Sequence, residues 1–139
     1  MFETILVATD GSETAEEAVE CAFGLAEQYG ATLHAVFVVD TRLYGEPALS
    51  STELVVEEVE DRGNTLLEQL AERAAGRGID VTTRCCHGNP SEEIVGYGKS
   101  IDADLLVLGY KGQTYRTSDH VGSVAERVVR ATDRSVLLV

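Results

Sequence analysis

Five short apolar runs, at residues 5–8, 33–39, 81–86, 105–108 and 136–139, alternate with stretches of helical periodicity, and this alternation constrains the fold more than any other feature. Runs of four to seven nearly continuous apolar residues suit strands buried on both faces. Between them, Ala15, Ala18, Val19, Ala22, Ala26 and Tyr29 recur at spacings of three and four. So do Val59, Leu66, Leu67, Leu70 and Ala74, and again Val121, Val124, Ala125, Val128 and Val129. A third, weaker helix opens at Pro90 with Ser91, Glu92 and Glu93 in its first turn, where proline and acids are welcome, but it contains Gly96 and Gly98. Five strands alternating with four helices predict a doubly wound α/β domain over residues 1–139, with a parallel sheet covered on both faces.

Gly30, Gly76 and Gly78 punctuate the ends of the first two helices. Two connections are long. One is 40–51, DTRLYGEPALSS, expected to form a rim or lid; the other joins the fourth strand to the last helix through Gly109, Gly112 and Gly122. The last run, from Val136 to Val139, would form an edge of the sheet. An apolar edge strand is a hazard unless it pairs, so a homodimer through that edge is expected, by antiparallel addition across a two-fold axis.

Charge removes several classes of function. With 24 acidic against 11 basic residues the formal charge is −13, which argues against nucleic acid and anionic membranes as partners. No apolar run approaches the roughly 20 residues of a membrane span, and the start of the chain lacks the basic, then long apolar pattern of a secretory signal. A soluble cytoplasmic protein is expected. The spread of acids over helix surfaces suggests adaptation to high salt, where the Debye length falls to about 3 Å and self-repulsion is screened; an ordinary acidic protein is the alternative. Cys21, Cys85 and Cys86 form no CxxC pair, and His34, His87 and His120 do not share metal-ligand spacing with them, so no metal site is expected.

In open α/β sheets ligands bind beyond the carboxyl ends of the strands, where the winding reverses. The first strand delivers Thr9, Asp10, Gly11 and Ser12 to that edge; the fourth delivers Leu108 and Gly109, followed by Lys111, Gly112 and the helix start at Gly122, Ser123 and Val124. Glycines let main-chain amides approach phosphate oxygens, and a helix start offers amides with no internal partner. Asp10 is placed to accept from ribose hydroxyls or, alternatively, to cap the first helix in competition with Ser12. Val38 and Val39 either present main chain to an adenine edge or simply fill the core. The glycine spacing is neither GxGxxG nor GxxxxGK[ST].

These residues together resemble the universal stress proteins over essentially the whole chain. ILVATDGSETAEEAV resembles that family's opening strand and helix, HAVFVVD its second strand, GNPSEEIVGYG its third helix, and the stretch from DLLVLGYKGQ to SVLLV its closing segment. Gly109, Gly112, Gly122 and Ser123 match the spacing of its nucleotide-binding members: glycine, two residues, glycine, nine residues, then glycine with serine or threonine. The resemblance implies a flavodoxin-like five-stranded sheet and a dimer. It also implies ATP, alone or with magnesium, held with phosphates on the 109–123 loop, ribose near Asp10 and adenine near Val39. Within the loop, QTYRTSDHV departs from the family's leucine-rich pattern, placing Asp119 and His120 where apolar residues are usual. A carboxylate beside phosphate repels it.

The leading expectation is a stress-response switch that binds an adenine nucleotide. A slow ATPase or phosphotransferase and a nucleotide-free scaffold are the alternatives. There is no lysine after a P-loop and no clear pair of magnesium carboxylates, so no catalytic residue is assigned.

Overall fold

The computed structural model describes residues 1–44, 50–111 and 121–139. Its elements run β1 (Thr4–Ala8), α1 (Glu13–Tyr29), β2 (Thr32–Asp40), a 3₁₀ turn (Thr41–Tyr44), α2 (Ser50–Gly76), β3 (Val81–Gly88), α3 (Pro90–Ser100), β4 (Leu105–Leu108), α4 (Ser123–Ala131) and β5 (Ser135–Leu138). The strands form one sheet in the order β3-β2-β1-β4-β5, with every pairing parallel. The expected doubly wound α/β architecture is present.

Alternation along the strands divides the core in two. Ile5, Val7, Leu33, Phe37, Leu105 and Val107 pack with Phe23 of α1 and Leu67 and Leu70 of α2. Leu6, Val36, Leu106 and Leu108 pack on the other face with Ile94 of α3 and Val128 of α4. Burying each large aliphatic or aromatic side chain contributes about 1.5–3 kcal/mol relative to leaving it in water. The central strands, flanked on both sides and covered above and below, are therefore mostly apolar, with His34 of β2 a half-buried exception bonded to the Tyr97 hydroxyl.

The edge strand β3 does not. Thr82, Thr83, Arg84 and His87 are exposed along it, and polar side chains suit a strand whose outer backbone is unpaired. Its cysteines point to opposite faces, Cys85 toward the α1/α2 core and Cys86 toward the α3/α4 core. Burial raises the pKa of both thiols. Three members of the expected helical stripes also stand out: Tyr29 is 41% exposed, Val121 40% and Val129 47%. Tyr29 instead meets Phe2 edge-on, with ring centroids 5.3 Å apart.

Two glycines are explained by close approach. A Cβ at Gly63, inside α2, would lie 2.4 Å from the Phe37 ring, so glycine lets the helix lie against β2. A Cβ at Gly98 would stand 3.3 Å from Leu106, which accounts for one of the two glycines that weaken α3. No helix among the described residues is long and apolar enough to cross a membrane.

Candidate functional site at the β1/β4 switch point

β1 and β4 are neighbours, yet the chain leaves β1 for α1 on one face and β4 for α4 on the other. The two connections part at this point and leave a crevice beyond the strand ends.

On the β1 side the segment Thr9 to Ser12 is held by its own side chains. The Thr9 amide donates to the Val36 carbonyl at 3.0 Å and extends the ladder onto β2. The Thr9 hydroxyl accepts from the Gly11 amide at 3.3 Å, and Asp10 Oδ1 accepts from the Ser12 amide at 2.9 Å. Gly11 has φ of 84°, a left-handed conformation that favours glycine. Ser12 is the N-cap of α1, its hydroxyl accepting from the Ala15 amide at 3.2 Å. Ser12 thus takes the capping role, and Asp10 braces the turn that precedes it.

On the β4 side the fold supplies its own reason for glycine at 109. A Cβ there would fall 2.6 Å from Thr14 Oγ1, 2.8 Å from the Thr14 carbonyl carbon and 2.9 Å from the Ala15 nitrogen. The first turn of α1 lies directly on the end of β4, and the Thr14 hydroxyl donates to the Lys111 carbonyl. Leu108 is buried, and its carbonyl accepts from the Val139 amide at 2.9 Å. The Tyr110 amide donates to the Val139 carbonyl at 3.0 Å, while the Tyr110 carbonyl accepts from the Gly122 amide at 2.6 Å. Lys111 sets its ammonium 5.2 Å from the Tyr110 ring centroid. Gly112, Asp119 and His120 lie outside the described residues.

Gly122 is the N-cap of α4, at φ −65° and ψ 156°, and has no side chain with which to cap it. The next amides, of Ser123, Val124 and Ala125, belong to the helix start, where no carbonyl of the helix can reach them and the dipole is positive. Ser123 is exposed and Val124 half-buried. This donor set fits an anion. Gly122's own amide is not part of it, because Tyr110 has it.

Val39 is fully buried on the α1/α2 face, in register with His87 of β3. Its neighbour Asp40 accepts a two-pronged contact from Arg42: Nε to Oδ1 and Nη2 to Oδ2, each at 2.9 Å. The Arg42 guanidinium holds the Asp40 carboxyl below the usual carboxylate range. Sequence reasoning missed Thr14 and this pair. The DTR triplet at the end of an apolar run is a signal for the latter; for Thr14 there is none. Among the described residues no group of three or more His, Cys, Asp or Glu side chains is placed to hold a metal.

Fold and site define a doubly wound parallel α/β domain with a crevice at its switch point. Its strand order, β3-β2-β1-β4-β5, differs from the flavodoxin order 2-1-3-4-5 that the resemblance implied, because β2 and β3 both lie on the same side of β1. The model of the universal stress protein family matches residues 1–139, and the chain belongs to that family. It is 34% identical to universal stress protein MJ0531 of Methanocaldococcus jannaschii, an alignment covering 100% of this chain and 82% of that protein. The solved structure of universal stress protein UspA from Lactobacillus plantarum superposes with a TM-score of 0.92 at 28% identity, covering 99% of this chain and 97% of that one. A universal stress protein crystallised in complex with cAMP superposes with a TM-score of 0.73 at 27% identity, covering 99% and 97%.

Proposed function

We propose that this chain is a universal stress protein that takes up ATP or a related adenine nucleotide at the switch point and acts as a dimeric stress-response switch. The observation that supports this best is the uncapped start of α4 at Gly122, which belongs to the same crevice as the braced Asp10 turn. The cAMP complex of a relative supports the ligand class. In this reading the Ser123 and Val124 amides and the Ser123 hydroxyl receive phosphate, with Leu108, Gly109, Lys111 and Gly112 forming the loop beneath it. Thr9, Asp10, Gly11 and Ser12 border the ribose, and Val39 offers main chain to the base. Magnesium enters as the cation of ATP, on its phosphates. Nucleotide binding shifts the population that a partner protein reads, and β5 pairs with β5 of a second copy. Any hydrolysis is slow. The protein works in the cytoplasm of a salt-rich cell, and its cooperative folding requires added salt; full folding in a salt-free titration contradicts that part.

A second reading, a nucleotide-free scaffold, is favoured by one observation: the Gly122 amide already has an acceptor in Tyr110. Calorimetric titration of ATP with magnesium at high salt separates the two. The proposal expects saturable binding to the wild type that Gly122→Val abolishes; the scaffold expects no saturable heat.

A further inference from the structure

Arg42 is half exposed, at 42%, while the Asp40 that holds it is only 16% exposed. Its Nε and Nη2 both go to the Asp40 carboxylate, and its own amide donates to Asp40 Oδ1 at 3.1 Å. A guanidinium gripped along one edge has a fixed plane. Strand alternation sets the place of that plane. Val39 faces the α1/α2 core, so Asp40 faces the other way, with Val38, on the side from which α4 rises. Glu92, in the first turn of α3, lies near enough to raise the Arg42 pKa further. The pair therefore stands on the α3/α4 side of the crevice. Arg42 is three residues beyond Val39, within about 11 Å along even a fully extended chain.

The chemistry of this group narrows what it meets. Three of its five N–H groups remain, but the Asp40 charge offsets its own and the Glu92 carboxylate lies near, so it makes a poor seat for phosphate. The side chain is 42% exposed, with no aromatic ring against it among the described residues, and a guanidinium face attracts a planar aromatic ring. The geometry points to Arg42 as the base-specificity residue of the nucleotide site, its Asp40-locked plane stacking on the purine; this rests on the nucleotide-binding reading above. Asp40 is a positioning residue, acting through Arg42.

Equilibrium titrations of ATP, CTP and inorganic tripolyphosphate against the wild type, Arg42→Ala, Arg42→Lys and Asp40→Asn test this. Arg42→Ala is expected to weaken ATP roughly tenfold, to narrow the preference for ATP over CTP, and to leave tripolyphosphate affinity unchanged. Arg42→Lys keeps the charge but loses the plane, and is expected to match Arg42→Ala. Asp40→Asn frees the plane and should give an intermediate loss. Wild-type affinity for ATP in Arg42→Ala, full retention in Arg42→Lys, or equal losses for ATP and tripolyphosphate would each overturn the stacking role while leaving the nucleotide reading intact. A wild type that binds neither ATP nor tripolyphosphate overturns both.

Discussion

The amide of Gly122 donates to the carbonyl of Tyr110 at 2.6 Å, tying together the two stems of the connection between β4 and α4. Tyr110 is in turn bonded through its own amide to Val139, beyond the end of β5. One residue thus joins the start of α4 to the edge of the sheet. The base of the connection is part of the folded scaffold.

Gly109→Ala should destabilise the protein in the absence of any nucleotide. The added methyl meets main-chain atoms of Thr14 and Ala15 at 2.8 and 2.9 Å, which cannot give way without moving α1. Overpacking of this kind costs about 1–3 kcal/mol, measurable by denaturant unfolding. An unchanged unfolding midpoint would show that α1 does not sit on β4 as described.

Gly63→Ala should also destabilise, against the usual preference of helices. Alanine gains about 1 kcal/mol over glycine in a helix interior, but here its Cβ would lie 2.4 Å from the buried Phe37 ring. Displacing a packed ring is expected to outweigh that gain, for a net loss of about 1–2 kcal/mol. Pairing Gly63→Ala with Phe37→Leu should recover part of the loss, and a double mutant with purely additive effects would contradict the contact.

His34 predicts a pH dependence. Its Nδ1 lies 3.0 Å from the Tyr97 hydroxyl, and burial lowers its pKa, with Asp80 opposing less strongly. The folded state therefore favours neutral imidazole more than the unfolded chain does. That contribution is present above the ordinary histidine value of about 6.5 and is lost as pH falls through the lower folded value. Unfolding measured from pH 7.5 to pH 5 should show a smaller decline in His34→Gln than in the wild type; parallel declines would assign the effect elsewhere.

Self-association should appear in sedimentation at working salt as a species of twice the 15.0 kDa chain mass. β5 is an edge of the sheet, and its Val136, Leu137 and Leu138 are only half-buried. Val129, 47% exposed, adds apolar surface on α4. A monomer at all concentrations tested would remove the edge-pairing proposal.

Much of the fold was legible because it rests on local period: apolar runs for β1, β2 and β4, three-and-four spacing for α1 and α2, and Gly30 with φ of 63° at the end of α1. The β1/β4 switch point followed from the winding rules. Thr82, Thr83 and Arg84 were visible inside the run read as apolar at 81–86, but that they mark an edge strand followed only from the sheet order, which period does not encode. The reason for Gly109 was hidden for the same kind of cause: Thr14 is distant in sequence, and only the fold brings its main chain against β4. The Asp40–Arg42 fork depends on where a strand stops, and element ends are the least determined feature of a periodic pattern.

What decides the matter is whether positively polarised backbone at the head of α4 holds adenine nucleotide. Native mass spectrometry of the intact protein, purified without denaturation and then supplied with ATP, reads this directly. The expected spectrum has one adenine nucleotide added per chain, removed by Gly122→Val. A spectrum of bare protein at every ATP concentration would contradict the account and leave the family fold without its ligand.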